Sequence, residues 1–597
     1  MKPIAVAPIL RLPYARDIYD YTAESLLNPG SVVIVTLRGQ KIRGVVLGDA
    51  EGKFKINRLL SIVDIQQGFS VSAATVAFFQ WMRKRYGVGY GVLFRSLFSF
   101  LPRIINSDGI ENPFLIAARN ENQNENLWEL ASSPNDSIAF IKEFVHKHPQ
   151  SQLLVLFPNI ALLEQSAAAL AALGPYIVHS NVTKQKLLEI GSIIAGGGNA
   201  LVFSTRIGLF LPWMKLGGVV MMYENNEDHK PLESTPRYHT RDAACELARC
   251  TGATFQTFGS APSLTLWYTM RSQHHYSMTQ LPHYQSLEII DMRARPYEQR
   301  FLSHESLLEI LETLKNQESV LLIHERRGVI TTLRCSSCFT LLRCRICNSA
   351  LLAKQKILLC PECKSNQPLP VRCDQCARST FLRQPAGIER IRPELLQELK
   401  KQFPSRTPEI HIWSKDQQLS VTSWQLPVVL LATSYAFDRM KILADEGPRV
   451  RLVVVLSVDG ILSRGEFDSA EAIFSRLTQL ASDATTFGIR TIIQSRFSEH
   501  HVFQAISQNN PQLFYEHELK ERTRFGFPPA FLRLTVQPRK PIPAFQKFVD
   551  RIAAGMEYRK TKGAVVIRCP TNEQSRIIAI QSALLDRFPG KLKVALV

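Results

Sequence analysis

The chain of 597 residues has no apolar run near the roughly 20 residues that a membrane-spanning helix needs. Its start, "MKPIAVAPILRLP", is broken by Pro3, Pro8 and Pro13 and has no apolar core of signal-peptide form. A cytoplasmic protein without a membrane role is expected. Acidic residues are in deficit, 52 against 71 Lys and Arg, giving a formal net charge of +19. An excess of that size favours a polyanionic partner, because each phosphate neutralised releases condensed counterions. Nucleic acid comes first, ahead of simple solubility and of an anionic membrane surface. The chain also contains no Gly-Lys-Ser or Gly-Lys-Thr, the usual cradle for a nucleotide phosphate; Gly52-Lys53 and Gly590-Lys591 run into Phe54 and Leu592. Cysteine is scarce, with 11 in all, and eight of these lie between 335 and 376.

Those eight form four C-x-x-C pairs: Cys335/Cys338, Cys344/Cys347, Cys360/Cys363 and Cys373/Cys376. In a reducing compartment such clusters are metal thiolates rather than disulfides. Two residues between ligands allow a tight knuckle to turn both sulfurs toward one tetrahedral Zn²⁺, and two knuckles close a structural site. Four knuckles predict two zinc ions. Three pairings of the knuckles are possible, and the short linkers of five and nine residues suit a nested one. Each closed site can supply roughly 10–16 kcal/mol of metal-coupled folding energy, enough to hold an insert without a core of its own. An iron–sulfur cluster would use the same thiolates. Cys245, Cys250 and Cys569 read as ordinary buried thiols.

Length alone implies several domains. The first hundred residues alternate apolar and polar positions, as in "SVVIVTLRGQKIRGVVLG", and predict a small β domain. A helical stretch follows, expected to pack Phe78, Phe79 and Trp81 inward and to expose Arg83, Lys84 and Arg85. From about 150, strand and helix alternate through "LLVLFP", "ALVFST", "GGVVMMY" and "TFQTFGS", and again through "VLLIHERRG", "PVVLLATS", "RLVVVLSVD" and "RTIIQS". Two α/β lobes with mostly parallel sheets are expected, the second interrupted by the cysteine block. The glycines 196–198 precede a strand rather than a helix and read as a turn.

This arrangement resembles the PriA family, the primosomal protein N′ of bacterial replication restart. The resemblance rests on the cysteine array and on "PRYHTRDAA", "GSAPSL", "ERRG", "GIERIRPELL", "VDGILSRGEFDSAEAIFSRLTQ" and "FYEHELKERTRFGFPP", in the family's order. It implies an α/β multidomain protein: an N-terminal 3′-DNA-end-binding β domain with a helical linker (1–105), a linker (106–129) and a degenerate RecA-like helicase lobe (130–280). A second degenerate lobe (281–332 and 377–500) then carries the double zinc insert (333–376), and an α+β C-terminal domain (501–597) follows. It places Cys335, Cys338, Cys373 and Cys376 on one zinc and Cys344, Cys347, Cys360 and Cys363 on the other. It also implies that Tyr19, Asp20 and Tyr21, with Gly39 and Arg58, capture the 3′ end of a nascent strand: Tyr19 by stacking, Asp20 by accepting a hydrogen bond from a free 3′-hydroxyl. The implied partners are branched and forked DNA, primosome and replicative-helicase loading proteins, and single-stranded DNA-binding protein.

The family is ordinarily a 3′-to-5′ helicase, and three of its catalytic parts are altered here. Asn135 or a neighbour stands where the phosphate-loop lysine belongs, Tyr223-Glu224-Asn225-Asn226 replaces Asp-Glu-Glu-His, and Ser482-Asp483-Ala484-Thr485-Thr486 replaces an arginine-bearing motif. Each part is worth orders of magnitude in rate. The expectation from these losses is a protein without ATPase activity, with ATP and Mg²⁺ absent as cofactors, that binds forks and recruits the replication machinery. The rival readings are an active helicase with a divergent nucleotide site and a zinc-ribbon scaffold for proteins. The family also continues its last domain slightly beyond "KLKVALV".

Overall fold

The computed structural model describes residues 2–50, 59–101, 136–230, 238–272, 287–293, 301–325, 330–338, 340, 342–345, 351–354, 357–360, 365–386, 388–414, 417, 425–437, 439–440, 443, 447–462, 467–561 and 564–596. Two compact units emerge. Residues 1–281 and 515–597 form one, and residues 282–514 form the other.

The first unit begins with five antiparallel strands, β1 (Lys2–Pro8), β2 (Tyr19–Ala23), β3 (Ser31–Leu37), β4 (Gln40–Asp49) and β5 (Asp64–Ser70), in the order β2-β1-β4-β3-β5. Residues 60–62 run beside β2, with the Thr22 amide donating to the Leu60 carbonyl and that of Ile62 to Thr22, so the sheet closes on itself around Ile4, Val6, Tyr21, Val33, Val35 and Val46. Closure leaves no open edge on that side.

Two helices follow, Ala73–Tyr86 and Tyr90–Phe98, separated at Gly87, which takes a left-handed φ of 63° and ends the first by bonding back to Arg83. Phe78 and Phe79 are buried as expected, but Arg83 is not exposed. It is turned inward onto the fully buried carboxylate of Asp17, which receives its Nη2 at 2.9 Å, its Nε at 3.3 Å and the Tyr90 amide at 2.7 Å. The ring of Tyr14 lies 3.8 Å from the guanidinium. A charge without a nearby partner in sequence is expected to face water; here an ion pair across the fold overrides the helical pattern.

The next segment is a parallel sheet of β6 (Gln152–Leu156), β7 (Tyr176–Val178), β8 (Ala200–Ser204), β9 (Leu216–Met222) and β10 (Thr254–Phe258), ordered β10-β9-β6-β8-β7. β6 and β8 are buried along their whole length, which is why they read as unbroken apolar runs. Gly197, with φ 72°, forms the turn before β8.

The second unit holds a parallel sheet of β11 (Glu288–Asp291), β12 (Ser319–His324), β18 (Glu409–Trp413), β19 (Val428–Ala432), β20 (Val450–Ser457) and β21 (Arg490–Ser495), ordered β11-β21-β20-β12-β19-β18. Between β12 and β18 the chain forms a small antiparallel sheet of β13 (Ile330–Cys335), β14 (Leu352–Lys354), β15 (Ile357–Leu359), β16 (Asn366–Pro368) and β17 (Phe381–Ala386). This sheet carries the cysteines and extends on both sides of them.

The chain then returns to the first unit with β22 (Phe531–Pro538), β23 (Glu557–Thr561), β24 (Ala564–Pro570) and β25 (Leu592–Leu596), an antiparallel sheet ordered β23-β24-β22-β25. The helices Phe545–Ile552 and Gln574–Arg587 supply Val549, Ile577 and Leu584 to a core with Leu534, Val536 and Ile567.

Candidate DNA-end, metal and nucleotide-motif sites

Strand alternation decides what β2 can offer. Tyr21 pairs with Ile4, Asp20 with Ala5 and Tyr19 with Val6, so the two tyrosines share the inner face and Asp20 takes the other. Tyr21 is 3% exposed and its hydroxyl donates to the Thr36 carbonyl at 3.0 Å. Burial, with Tyr19 adding to it, pushes its phenol up to about 12. Tyr21 therefore belongs to the barrel interior, while Tyr19 and Asp20 are half-buried. Gly39 and Arg38 link β3 to β4 with φ of 76° and 52°, the signature of a tight two-residue hairpin turn. A Cβ on Gly39 would meet nothing within 4 Å, so the turn rather than a close neighbour requires glycine. Arg58 lies outside the described residues.

In the insert, Cys335, Cys338, Cys373 and Cys376 come together with all four Sγ atoms within 4.8 Å of one another. Cys335 Sγ is 3.3 Å from Cys376 Sγ, and Cys338 Sγ is 3.6 Å from Cys373 Sγ. A tetrahedral thiolate site with Zn–S near 2.3 Å has ligand edges of about 3.8 Å, so this donor set fits such an ion with small adjustment. Knuckle geometry is present: the Ser337 amide points at Cys335 Sγ at 3.4 Å, and the Cys335 amide donates to the Thr340 carbonyl at 3.0 Å. Hydrogen bonding from Thr340 holds the Cys338 thiol down to about 6.

Of the other four cysteines, Cys344 and Cys360 are buried in one cluster with Leu333, Leu342, Leu351 and Leu358. The Gln367 side-chain amide donates to Cys344 Sγ at 3.0 Å. Cys347 and Cys363 lie outside the described residues. Burial raises Cys245 to about 11 and Cys250 to about 12, and raises Cys569 as well, which leaves all three thiols protonated and unreactive.

Two of the three altered helicase motifs can be placed; Asn135 lies outside the described residues. Glu224, just past the carboxyl end of β9, is 3% exposed. Its Oε1 accepts from Arg241 Nη1 and from Ser263 Oγ, each at 2.7 Å, and its Oε2 accepts from the Ser263 amide at 3.0 Å. Asp242 takes the other side of the same guanidinium, at 3.0 Å from Nε and 2.7 Å from Nη2. Burial opposes the charge on Arg241, but Asp242 and Glu224 outweigh it and hold the group protonated. Burial also works against Asp242, and Arg241 foremost overcomes that, bringing the carboxyl down to about 2.

The residues 482–486 are not a loop. They form the last turns of the helix Ser469–Phe487, with Asp483 buried and bonded to Gln479 Nε2 at 2.9 Å. Asp483 thus belongs to the packing of this helix.

Sequence reasoning also missed a basic sheet face. In the C-terminal sheet Arg533 on β22 lies directly opposite Arg568 on β24, on the face away from the core. Register adds Arg559 and Lys593 to that face, with Glu557 as its one carboxylate among the described strand residues. Both arginines lie over the Phe527 ring, at 5.8 and 5.1 Å, and the Nε of each is buried with no hydrogen-bond partner among the described residues. Burial and then Arg568 pull the pKa of Arg533 below its usual value. Only the pairing register, 35 residues apart in sequence, reveals this face.

Comparison with known proteins adds the following. Residues 9–99 match the 3′ DNA-binding domain of PriA. The replication restart protein PriA of Rickettsia typhi is 23% identical over 96% of this chain and 91% of its own length. That of Chlamydia pneumoniae is 27% identical over 64% of this chain and 53% of its own. Among solved structures, S. cerevisiae Dbp5 bound to RNA and ADP BeF3 covers 76% of this chain and 97% of its own at 12% identity, with a TM-score of 0.31. The expectation of a non-enzyme is overturned by the relatives. Their alignment along nearly the whole chain points to a helicase family rather than to a protein outside that chemistry. Physically, exchange of single motif side chains leaves the scaffold standing: both parallel sheets are present, and Glu224 is held in place by Arg241 and Ser263.

Proposed function

The chain is a relative of the PriA replication restart proteins along nearly its whole length, with a 3′ DNA-binding domain, and we propose that it recognises branched DNA at stalled or collapsed forks and starts primosome assembly there. The match of residues 9–99 carries this reading. Tyr19 and Asp20 contact the strand end, Tyr19 by stacking on the terminal base and Asp20 by accepting from the 3′-hydroxyl, which an internal phosphodiester cannot offer. Tyr21 acts from inside the barrel by holding β2 against Thr36. The C-terminal face of Arg533, Arg559, Arg568 and Lys593 contributes phosphate contacts, in keeping with the net charge of +19.

In the insert, Cys335, Cys338, Cys373 and Cys376 hold one Zn²⁺, and Cys344, Cys347, Cys360 and Cys363 hold a second. When bound, each ion supplies structural cross-linking and no reaction chemistry. The insert gives a rigid platform for helicase-loading proteins and for single-stranded DNA-binding protein, and the work is done in the cytoplasm at the nucleoid. The test is fork binding by an Asp20→Ala variant. A larger loss on forks with a free 3′-hydroxyl at the junction than on forks with a blocked one is expected. Equal loss on both would refute the strand-end role.

A further inference from the structure

The four clustered sulfurs are not equally sheltered. Cys335 and Cys373 are buried and Cys376 is half-buried, whereas Cys338 is exposed. Water and competing chelators therefore meet one ligand first. Beside that ligand stands Thr340, its Oγ1 3.3 Å from Cys338 Sγ and 3.3 Å from Gln375 Oε1. Gln375 sits between Cys373 and Cys376, so this chain of hydrogen bonds ties the open ligand of one knuckle to the turn of the other. Thr340 cannot drift, because its carbonyl accepts from the Cys335 amide at 3.0 Å. A second tie, from Ser336 Oγ to the Thr380 carbonyl at 3.0 Å and to its hydroxyl at 2.6 Å, joins the same two knuckles without touching a sulfur.

Resting on the reading that these four thiolates hold a metal ion, we infer that Thr340, clamped between Cys338 and Gln375, is a positioning residue that sets how fast the metal leaves, with Cys338 the ligand that releases first. A metal-bound Cys338 is a thiolate without a proton. The Thr340 hydroxyl then donates to sulfur, and the Gln375 amide turns its Nε2 to the hydroxyl oxygen, a half rotation that keeps both contacts. A thiolate that accepts this bond is oriented toward the ion and must break it as well as the metal bond in order to leave. Loss of such a partner commonly costs ten- to a hundredfold in metal affinity. The buried Cys335 sulfur accepts from the Ser337 backbone amide at 3.4 Å, a bond that no side-chain substitution removes, and its burial keeps the competitor away.

The experiment is metal release from the full-length protein into excess of a chromogenic zinc chelator, after zinc content has been measured. Thr340→Val, which keeps the shape and removes the hydroxyl, is expected to release one ion about tenfold faster than the native chain. Thr340→Ser should release at the native rate, because the hydroxyl is retained. Ser336→Ala should also keep the native rate, since it loosens the knuckles without touching a sulfur. Native release by Thr340→Val would overturn the inference, as would equal acceleration by Ser336→Ala, which would mean that any loosening suffices. A native chain that carries no zinc would instead overturn the metal reading itself, so the two failures are distinct. Cobalt substitution gives a check independent of stability: the thiolate-to-metal absorption of Thr340→Val should shift while that of Ser336→Ala stays native.

Discussion

Glu224→Ala probes whether the residue is held as tightly as its contacts imply. The change removes the 2.7 Å ion pair with Arg241 and both bonds from Ser263 in a site where Glu224 is 3% exposed. Breaking a buried pair by deleting one partner costs about 3–5 kcal/mol, since the other charge stays behind without its water. Asp242 remains on two guanidinium nitrogens at 3.0 and 2.7 Å, which places the loss at about 3 kcal/mol. That corresponds to about a hundredfold faster opening of the helix Leu264–Ser272, whose start is fixed by Ser263. Hydrogen exchange of peptides spanning 259–272 reads this directly. Glu224→Gln keeps the oxygen facing Arg241 but presents an NH₂ to the Ser263 amide, so it should lose about 1–2 kcal/mol. Exchange in Glu224→Ala within threefold of the native chain would refute the whole reading of this network as structural.

Two further outcomes concern a buried histidine and the basic sheet face. His229 is fully buried and bonded to the Met222 carbonyl at 2.9 Å, and burial lowers its pKa from 6.5 to about 4. Its neutral form is favoured only in the folded state, so the stability it contributes is complete above pH 6.5, declines as pH falls, and is lost by about pH 4. The decline amounts to about 3 kcal/mol, and a flatter denaturation profile between pH 7 and 4 is expected for His229→Gln. For the basic sheet face, the double change Arg533→Ala and Arg568→Ala should weaken fork binding at low salt and reduce the slope of log affinity against log salt by about 1 to 2. An unchanged slope in a titration series would remove that face from the DNA-binding surface.

How much of this was legible beforehand depends on whether a residue's environment is local. "RLVVVLSVD" announces β20 because both faces of a central parallel strand are buried, leaving no alternation to interpret. The cysteine pairs announce their own chemistry through spacing, and the sulfurs of Cys335, Cys338, Cys373 and Cys376 do converge. Arg83 failed the hydropathy pattern because its partner, Asp17, lies 66 residues away. That Asp483 is buried in the packing of the helix Ser469–Phe487 was not legible from the motif comparison, which says nothing of what surrounds a side chain. Tyr21 looked like a surface reader until strand register turned it inward. Whether Glu224 is idle could not be decided from its own neighbours in sequence, because Arg241 and Ser263 arrive from other elements.

The interleaving of the two units has a consequence for biosynthesis. Residues 515–597 complete the unit that residues 1–281 begin, while 282–514 are self-contained. On the ribosome the middle of the chain can therefore mature before the start does, reversing the usual order in which N-terminal portions finish first. The carbonyls of Lys84 and Arg85, which Gln581 Nε2 binds at 3.1 and 3.2 Å, wait for nearly the entire protein to be translated. A premature stop soon after 514 should consequently release a polypeptide with a sound cysteine-bearing unit and an unfinished first unit, ready prey for proteolysis.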